Sequence, residues 1–361
     1  MAHNFEYMPI FRSRQQEIKV LTSFDFGNHI CPMIEIIKEK DRKNNQRTPQ
    51  EIYSEIIEKI NGPKVFLDLP VYLKEASNTQ DEVVKFIRGC IQDKEERVNF
   101  LTQFNDFEEK VIPVISSLLA ATGETQTIQY QMENLEEEFS QLAYRIFHNT
   151  FDEDLEELEH LFDPETDILI YDLGKVEITS PVVRKQVNKL QKTLGSGFKV
   201  MVRSAINEEV QNVKLEHEEI VGEANNSLVE MYKTQGFDAF GDYAGIKKDD
   251  LTSGGTISPG FIFYDPYENL FYGFKSDIKK LEEFERTIVP AVLNSPMVQN
   301  LQENYSEFID GNPGIEMLRK IRDNEEESGK NQAKFKKISM DHYLHCIKTS
   351  IESNHSLPIN Q

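Results

Sequence analysis

Seven apolar runs in this sequence each end on a polar side chain. Those side chains, Glu35, Asp68, Ser116, Arg145, Asp172, Arg203 and Asp242, are the ones whose types and spacing could do chemistry, and Tyr243 follows the last of them directly. A lone carboxylate or guanidinium in such a run costs several kcal/mol to bury, so these groups need one another or a solvent-filled mouth. Four acids and two arginines can satisfy each other. Their surplus negative charge could hold a divalent cation, with Asp68, Asp172 and Asp242 as the oxygen donors of a metal-assisted phosphate-ester or nucleotide hydrolase. Alternatively, Arg145 and Arg203 could grip a phosphate or carboxylate through their planar forks. The third possibility is an ion-pair network that fills space and binds nothing.

The runs themselves predict the elements that position these groups. They cover residues 30–36, 65–70, 111–117, 142–147, 168–174, 198–203 and 239–243, each short and bounded by polar or turn residues. This is the pattern of buried parallel strands. The segments between them are charged and of helical period. One runs from Pro49 to Ile60 and stops at Asn61-Gly62; another opens at Ser180-Pro181 and returns through Gly195-Ser196-Gly197. Strand and helix in alternation predict an α/β fold with a parallel sheet. Even spacing favours a (β/α)8, TIM-barrel-like closure, and no Gly-x-Gly-x-x-Gly follows the first strand to suggest an open nucleotide-binding sheet. In such a barrel the carboxyl ends of the strands share one rim, so the seven polar residues are expected to gather there.

The rhythm changes after Asp242. Residues 253–260 read as a loop, and residues 261–264 and 270–274 flank Asp265-Pro266-Tyr267-Glu268-Asn269 as an inserted β-hairpin, one strand of which could serve as the eighth of the barrel. A helical stretch from Ser276 to Phe308 follows, with a kink expected at Pro290 and an end at Gly311-Asn312-Pro313-Gly314. The expected organisation is therefore a barrel with its hairpin over 1–275, a C-terminal helical extension over 276–352 packed on it, and a frayed tail over 353–361.

Composition narrows the class of function. The chain has 361 residues, with 40 Lys+Arg against 62 Asp+Glu, a formal charge of −22. That charge disfavours nucleic acid as a partner. With 39% hydrophobic residues a folded core is expected. No apolar run reaches the ~20 residues of a membrane helix, the N-terminus lacks a signal pattern, and Cys31, Cys90 and Cys346 are too few and too scattered for a disulfide framework. A cytoplasmic location is the expectation. Between Glu133 and Glu165 twelve acids face a single base, Arg145; this predicts two acidic helix faces around a buried strand, or an acidic surface that docks a basic partner. Weaker signals are Ser253-Gly254-Gly255-Thr256 as a phosphate cradle or plain connector, the pair His342 and His345 at helical spacing, and the basic cluster Lys330, Lys334, Lys336 and Lys337.

Several of these residues also carry a family resemblance. The opening Tyr7-Met8-Pro9-Ile10-Phe11-Arg12-Ser13-Arg14-Gln15-Gln16-Glu17, then Pro32-Met33-Ile34-Glu35-Ile36, resembles the beta-protein family of phages and bacteria. The likeness continues through Asp68, Asp172, the Arg203 run and Gly241-Asp242-Tyr243. Where the family tends to carry a His-His pair this chain has His342-Tyr343-Leu344-His345, and it has no Trp, whereas the family tends to have one just upstream. The resemblance implies a role in phage–host conflict, such as antiviral defence, with a protein partner from a defence system. It implies no reaction. The expectation is thus a barrel that binds a small anionic or nucleotide-like ligand, or a partner, at a mouth lined by Glu35, Asp68, Arg145, Asp172, Arg203, Asp242 and Tyr243. The alternatives are the metal-assisted hydrolase and an acidic scaffold without a ligand.

Overall fold

A computed structural model describes residues 4–40, 45–75, 79–117, 123–248, 257–325 and 328–353. The Ser253-Gly254-Gly255-Thr256 segment and the tail beyond Ser353 lie outside the described residues. The chain divides into two compact units. The first holds residues up to 203 together with 231–242, and the second holds 204–230, 243–248 and the described residues from 257 onward.

The first unit is a closed barrel of eight parallel strands. They are β1 (Tyr7–Arg12), β2 (Met33–Glu35), β3 (Val65–Asp68), β4 (Val111–Ser116), β5 (Ala143–Phe147), β6 (Ile168–Asp172), β7 (Phe198–Val202) and, after a short strand β8 (Glu219–Ile220) that belongs to the second unit, β9 (Ala239–Asp242). All seven runs read from the sequence are strands of this barrel. The eighth is β1, which pairs with β2 on one side and with β9 on the other. The hairpin does not close the barrel, because the Tyr7–Arg12 run already occupies the gap and a closed ring offers no edge to an antiparallel ribbon.

Every barrel strand is buried along nearly its whole length, as parallel strands covered by helices on the outside must be. The helices form where the sequence supplies period and caps. Helix Pro49–Lys59 starts in a capping box, in which Thr48 accepts from the Glu51 N–H while the Glu51 carboxylate accepts from the Thr48 N–H. Helix Pro181–Leu194 starts with Pro at its first turn, as Ser180-Pro181 predicts, though the Ser180 side chain makes no capping bond. It ends at Gly195, whose positive φ of 62° suits glycine. Of the acid-rich segment, helix Phe151–Leu158 after the buried strand β5 carries five acids, whereas helix Thr127–Leu135 before it holds only Glu133, and Glu136-Glu137-Glu138 follow that helix's end as a turn, so one acidic helix face forms rather than two.

The second unit contains the expected hairpin, β10 (Gly260–Asp265) and β11 (Leu270–Lys275), in a three-stranded antiparallel sheet of order β10-β11-β8. The C-terminal helices belong to the same unit. The outer edge of β10 is blunted by side chains: Ser339 donates to the Ile262 carbonyl and His342 Nε2 lies 2.7 Å from the Tyr264 carbonyl. The helical stretch expected over 276–308 is broken differently from the prediction. A π-turn over Phe284–Ile288 runs straight into Val289–Leu293, with Pro290 tolerated in the first α-turn. The chain breaks instead at Ser295-Pro296, where Ser295 caps a new helix, Pro296–Asn304, by accepting from the Val298 N–H.

Helices Pro313–Arg322 and Gln332–Glu352 cross very closely at Gly314. A Cβ there would lie 2.6 Å from the Ile338 carbonyl oxygen and 2.7 Å from His342 Cβ. Gly314→Ala should therefore force the two helices apart and cost about 1–3 kcal/mol, outweighing the helix propensity it gains, as read from urea unfolding.

Candidate functional site

Strand alternation decides which rim residues can meet. Register places Arg12 beside Glu35, and Glu35 beside Asp68. It likewise places Phe147, two residues beyond Arg145, beside Asp172, and Asp172 beside Val202. Paired residues share a face, so Arg12, Glu35, Asp68, Arg145, Phe147, Asp172 and Val202 all point the same way. That way is inward, because Arg145 on β5 reaches β2, β3 and β6, which is possible only across the lumen.

Arg145 is the hub. Its Nη1 donates to Glu35 Oε1 at 2.9 Å and to Asp68 Oδ2, and its Nη2 donates to Asp172 Oδ2 at 2.6 Å. Its Nε adds a 3.2 Å bond to the same Asp172 oxygen. Glu35 is shared: Oε2 accepts from Arg12 Nε at 3.1 Å, and Oε1 also accepts from the Tyr72 hydroxyl. The Arg12 N–H donates to Glu17 Oε2 at 2.6 Å, and Asp172 Oδ1 accepts from the Gly174 N–H at 2.7 Å. The rings of Tyr72 and Phe147 lie 5.1 and 5.4 Å from the Arg145 guanidinium carbon, close enough for cation–π attraction. Glu35, Asp68, Arg145 and Asp172 are all buried, with exposures of 0 to 2%. Tyr72, in the loop after β3, is only half-buried.

One atom in this cluster is left over. Asp68 Oδ1 is buried and meets no hydrogen-bond donor among the described residues. Burial pushes the Asp68 carboxyl up to about 6; Arg145 pulls it down, and the charges on Glu35 and Asp172 push it up again. Its folded value therefore lies above its unfolded one. The stability it contributes is intact below about pH 4 and is lost as pH rises through about 6. Asp68→Asn, which removes the charge and keeps the shape, should stabilise the protein at pH 7.5 by about 2–3 kcal/mol, with the gain fading toward pH 4.5 in urea titrations.

The other sequence-predicted residues lie elsewhere. Arg203 is one residue past Val202 and so faces away from the lumen, where its Nη2 pairs with Glu177 and its Nε donates to the Val176 carbonyl. Asp242 is also out of phase. Gly241, not Asp242, faces the lumen, since a Cβ on Gly241 would meet Met8 and Val202. Asp242 accepts instead from the Tyr7 hydroxyl at 2.6 Å, beside a Tyr7–Phe240 stack. Ser116 shares the lumen face with Arg145 by register. Tyr243 falls in the second unit, with Lys248 Nζ 5.1 Å from its ring centre. A cation site built from Asp68, Asp172 and Asp242 is thus not assembled, and no group of three His, Cys, Asp or Glu residues able to hold a metal occurs among the described residues. His342 and His345 do not converge on a common point either: His342 lies between Asn312 and the Tyr264 carbonyl, and His345 Nε2 lies 3.1 Å from the Glu307 carbonyl.

Arg12 and Tyr72 are the members that reading the sequence misses. Arg12 carries a signal, because it ends the apolar run Tyr7–Phe11 just as Glu35 ends its own. Tyr72 carries none; it follows its strand in a loop and reaches back.

The family model described as Beta protein matches residues 7–348. No curated protein matches the sequence. Among solved structures, the type I 3-dehydroquinate dehydratase of Clostridium difficile, determined with covalently modified comenic acid, is similar at a TM-score of 0.44 and 8% identity, over 69% of this chain and 88% of that one. No helix among the described residues is long and apolar enough to cross a membrane.

Proposed function

The chain belongs to the Beta protein family, and from that premise we propose that it is a binding barrel which takes a small ligand at the carboxyl rim of its lumen and acts in phage–host conflict through a protein partner. The observation that supports this reading is the convergence of Arg12, Glu35, Asp68, Arg145 and Asp172, from five strands, around a carboxylate oxygen that no described residue satisfies. A network serving only to fill the lumen gains nothing from an orphaned, buried acceptor, which costs about 1–3 kcal/mol. Binding is favoured over hydrolysis because the three lumen carboxylates aim at a guanidinium, and Asp242, the third oxygen donor expected of a cation site, is turned outward.

Thermal unfolding of the full chain against amines, sugars, amino acids, nucleotides and divalent cations tests the reading. A ligand at one hundred times its Kd stabilises by about 2.7 kcal/mol. With no Trp in the chain, tyrosine emission offers a second signal through Tyr72. A midpoint unmoved by every compound sinks the binding role. The role in phage–host conflict is read separately, from phage plating efficiency on bacteria expressing the wild type or Tyr72→Ala.

A further inference from the structure

Charge and hydrogen-bond balance at the lumen rim specify what kind of ligand would fit. Both guanidinium groups on the lumen side are engaged by carboxylates: Arg145 by Glu35, Asp68 and Asp172, and Arg12 by Glu35. Three buried carboxylates face two buried cations, and Glu17 adds a further carboxylate at the Arg12 backbone. Among the described residues, the one buried lumen-side oxygen without a partner, Asp68 Oδ1, is an acceptor.

Resting on the binding role proposed above, we infer that the ligand of this rim is a small organic cation, carrying a primary ammonium or guanidinium group that donates to Asp68 Oδ1. An anion would have to displace a carboxylate from the buried ion pairs of Arg145 or compete with Glu35 for Arg12, which is strongly unfavourable. A divalent metal needs several oxygens aimed at one point, whereas Glu35 Oε1, Asp68 Oδ2 and Asp172 Oδ2 are all aimed at Arg145. A cationic N–H donor neutralises the excess charge and satisfies the orphaned oxygen in one step. Tyr72 is the least buried of the group, so entry is past its loop.

The test is calorimetric titration of the full chain and of Asp68→Asn with five probes: methylamine, methylguanidine, inorganic phosphate, ATP and magnesium chloride. Ionic strength is held constant with NaCl, because a chain of charge −22 attracts any cation diffusely. Circular dichroism confirms that Asp68→Asn keeps its fold. The expected result is saturable binding of methylamine or methylguanidine to the wild type, weakened roughly tenfold or more in Asp68→Asn. Cation binding unchanged in Asp68→Asn overturns the inference, since the attraction is then diffuse. Phosphate, ATP or magnesium binding that responds to Asp68→Asn while the amines do not overturns the inference and leaves the binding role standing. Silence from all five probes overturns the inference alone, and the wider thermal panel then decides the binding role.

Discussion

Arg145→Met should destabilise the barrel by about 3–5 kcal/mol. Its guanidinium bonds Glu35, Asp68 and Asp172, and removing it leaves three buried carboxylates with one remaining cation, Arg12, on Glu35. The penalty comes less from lost attraction than from stranded charge. It should therefore shrink in acid, as Asp68, already pushed up to about 6 by burial, takes up a proton. Arg203→Ala is the control. Arg203 follows a strand, faces outward and is itself buried, but its carboxylate partner, Glu177, is 49% exposed and returns to water when the pair is lost, so the cost should be smaller, about 1–3 kcal/mol. Urea unfolding at pH 7.5 and pH 5 checks both. Equal costs for the two arginines at pH 7.5 would show that water screens the lumen cluster.

The second large effect lies in the other compact unit and depends on pH. His342 is fully buried, stacked 4.3 Å from the ring of Phe263. Its Nε2 faces the Tyr264 carbonyl, so that nitrogen carries the proton, and Nδ1 accepts from Asn312 Nδ2 at 2.9 Å. Burial pushes its pKa down to about 4 from the ordinary 6.5; the Tyr264 carbonyl opposes this and the charge of His345 reinforces it. The groups that face it, Asn312 and Phe263 from neighbouring elements and Cys346 on its own helix, are uncharged. Between pH 6.5 and 4 the unfolded chain binds a proton that the folded one refuses. The stability carried by neutral His342 is thus complete above about pH 6.5 and declines by about 3 kcal/mol as pH falls to 4. His342→Gln should be the less stable protein at pH 7.5, with its deficit against wild type closing by about that amount at pH 4. A deficit that stays constant with pH would mean that the imidazole is protonated within the fold. Comparison with the variant is needed because Asp68, Asp154, Asp167 and Asp265, all pushed up to about 6 with burial as the main cause, change stability in the opposite sense over the same range.

What the sequence determined by itself was an alternation of seven buried strands with helices, and the polar residues that end those strands. Apolar runs of fixed length between amphipathic segments point to a parallel α/β sheet and favour its closure into a barrel, and the motif residues suffice to point to the family. Which of those polar ends meet was decided only by tertiary structure. Side chains alternate across a strand, so a shift of one residue sends a group from the lumen to the outer face. Arg203 and Asp242 each stand one residue past the lumen-facing position, whereas Glu35, Asp68, Arg145 and Asp172 stand on it, and the sequence does not mark that phase because both faces of a barrel strand are apolar. The same blindness hides Arg12, whose run supplies the eighth strand, and Tyr72, which joins the cluster from a loop. The hairpin, too, is legible as a hairpin, but whether it pairs with the barrel or with Glu219–Ile220 depends on which strand edges the rest of the fold leaves open.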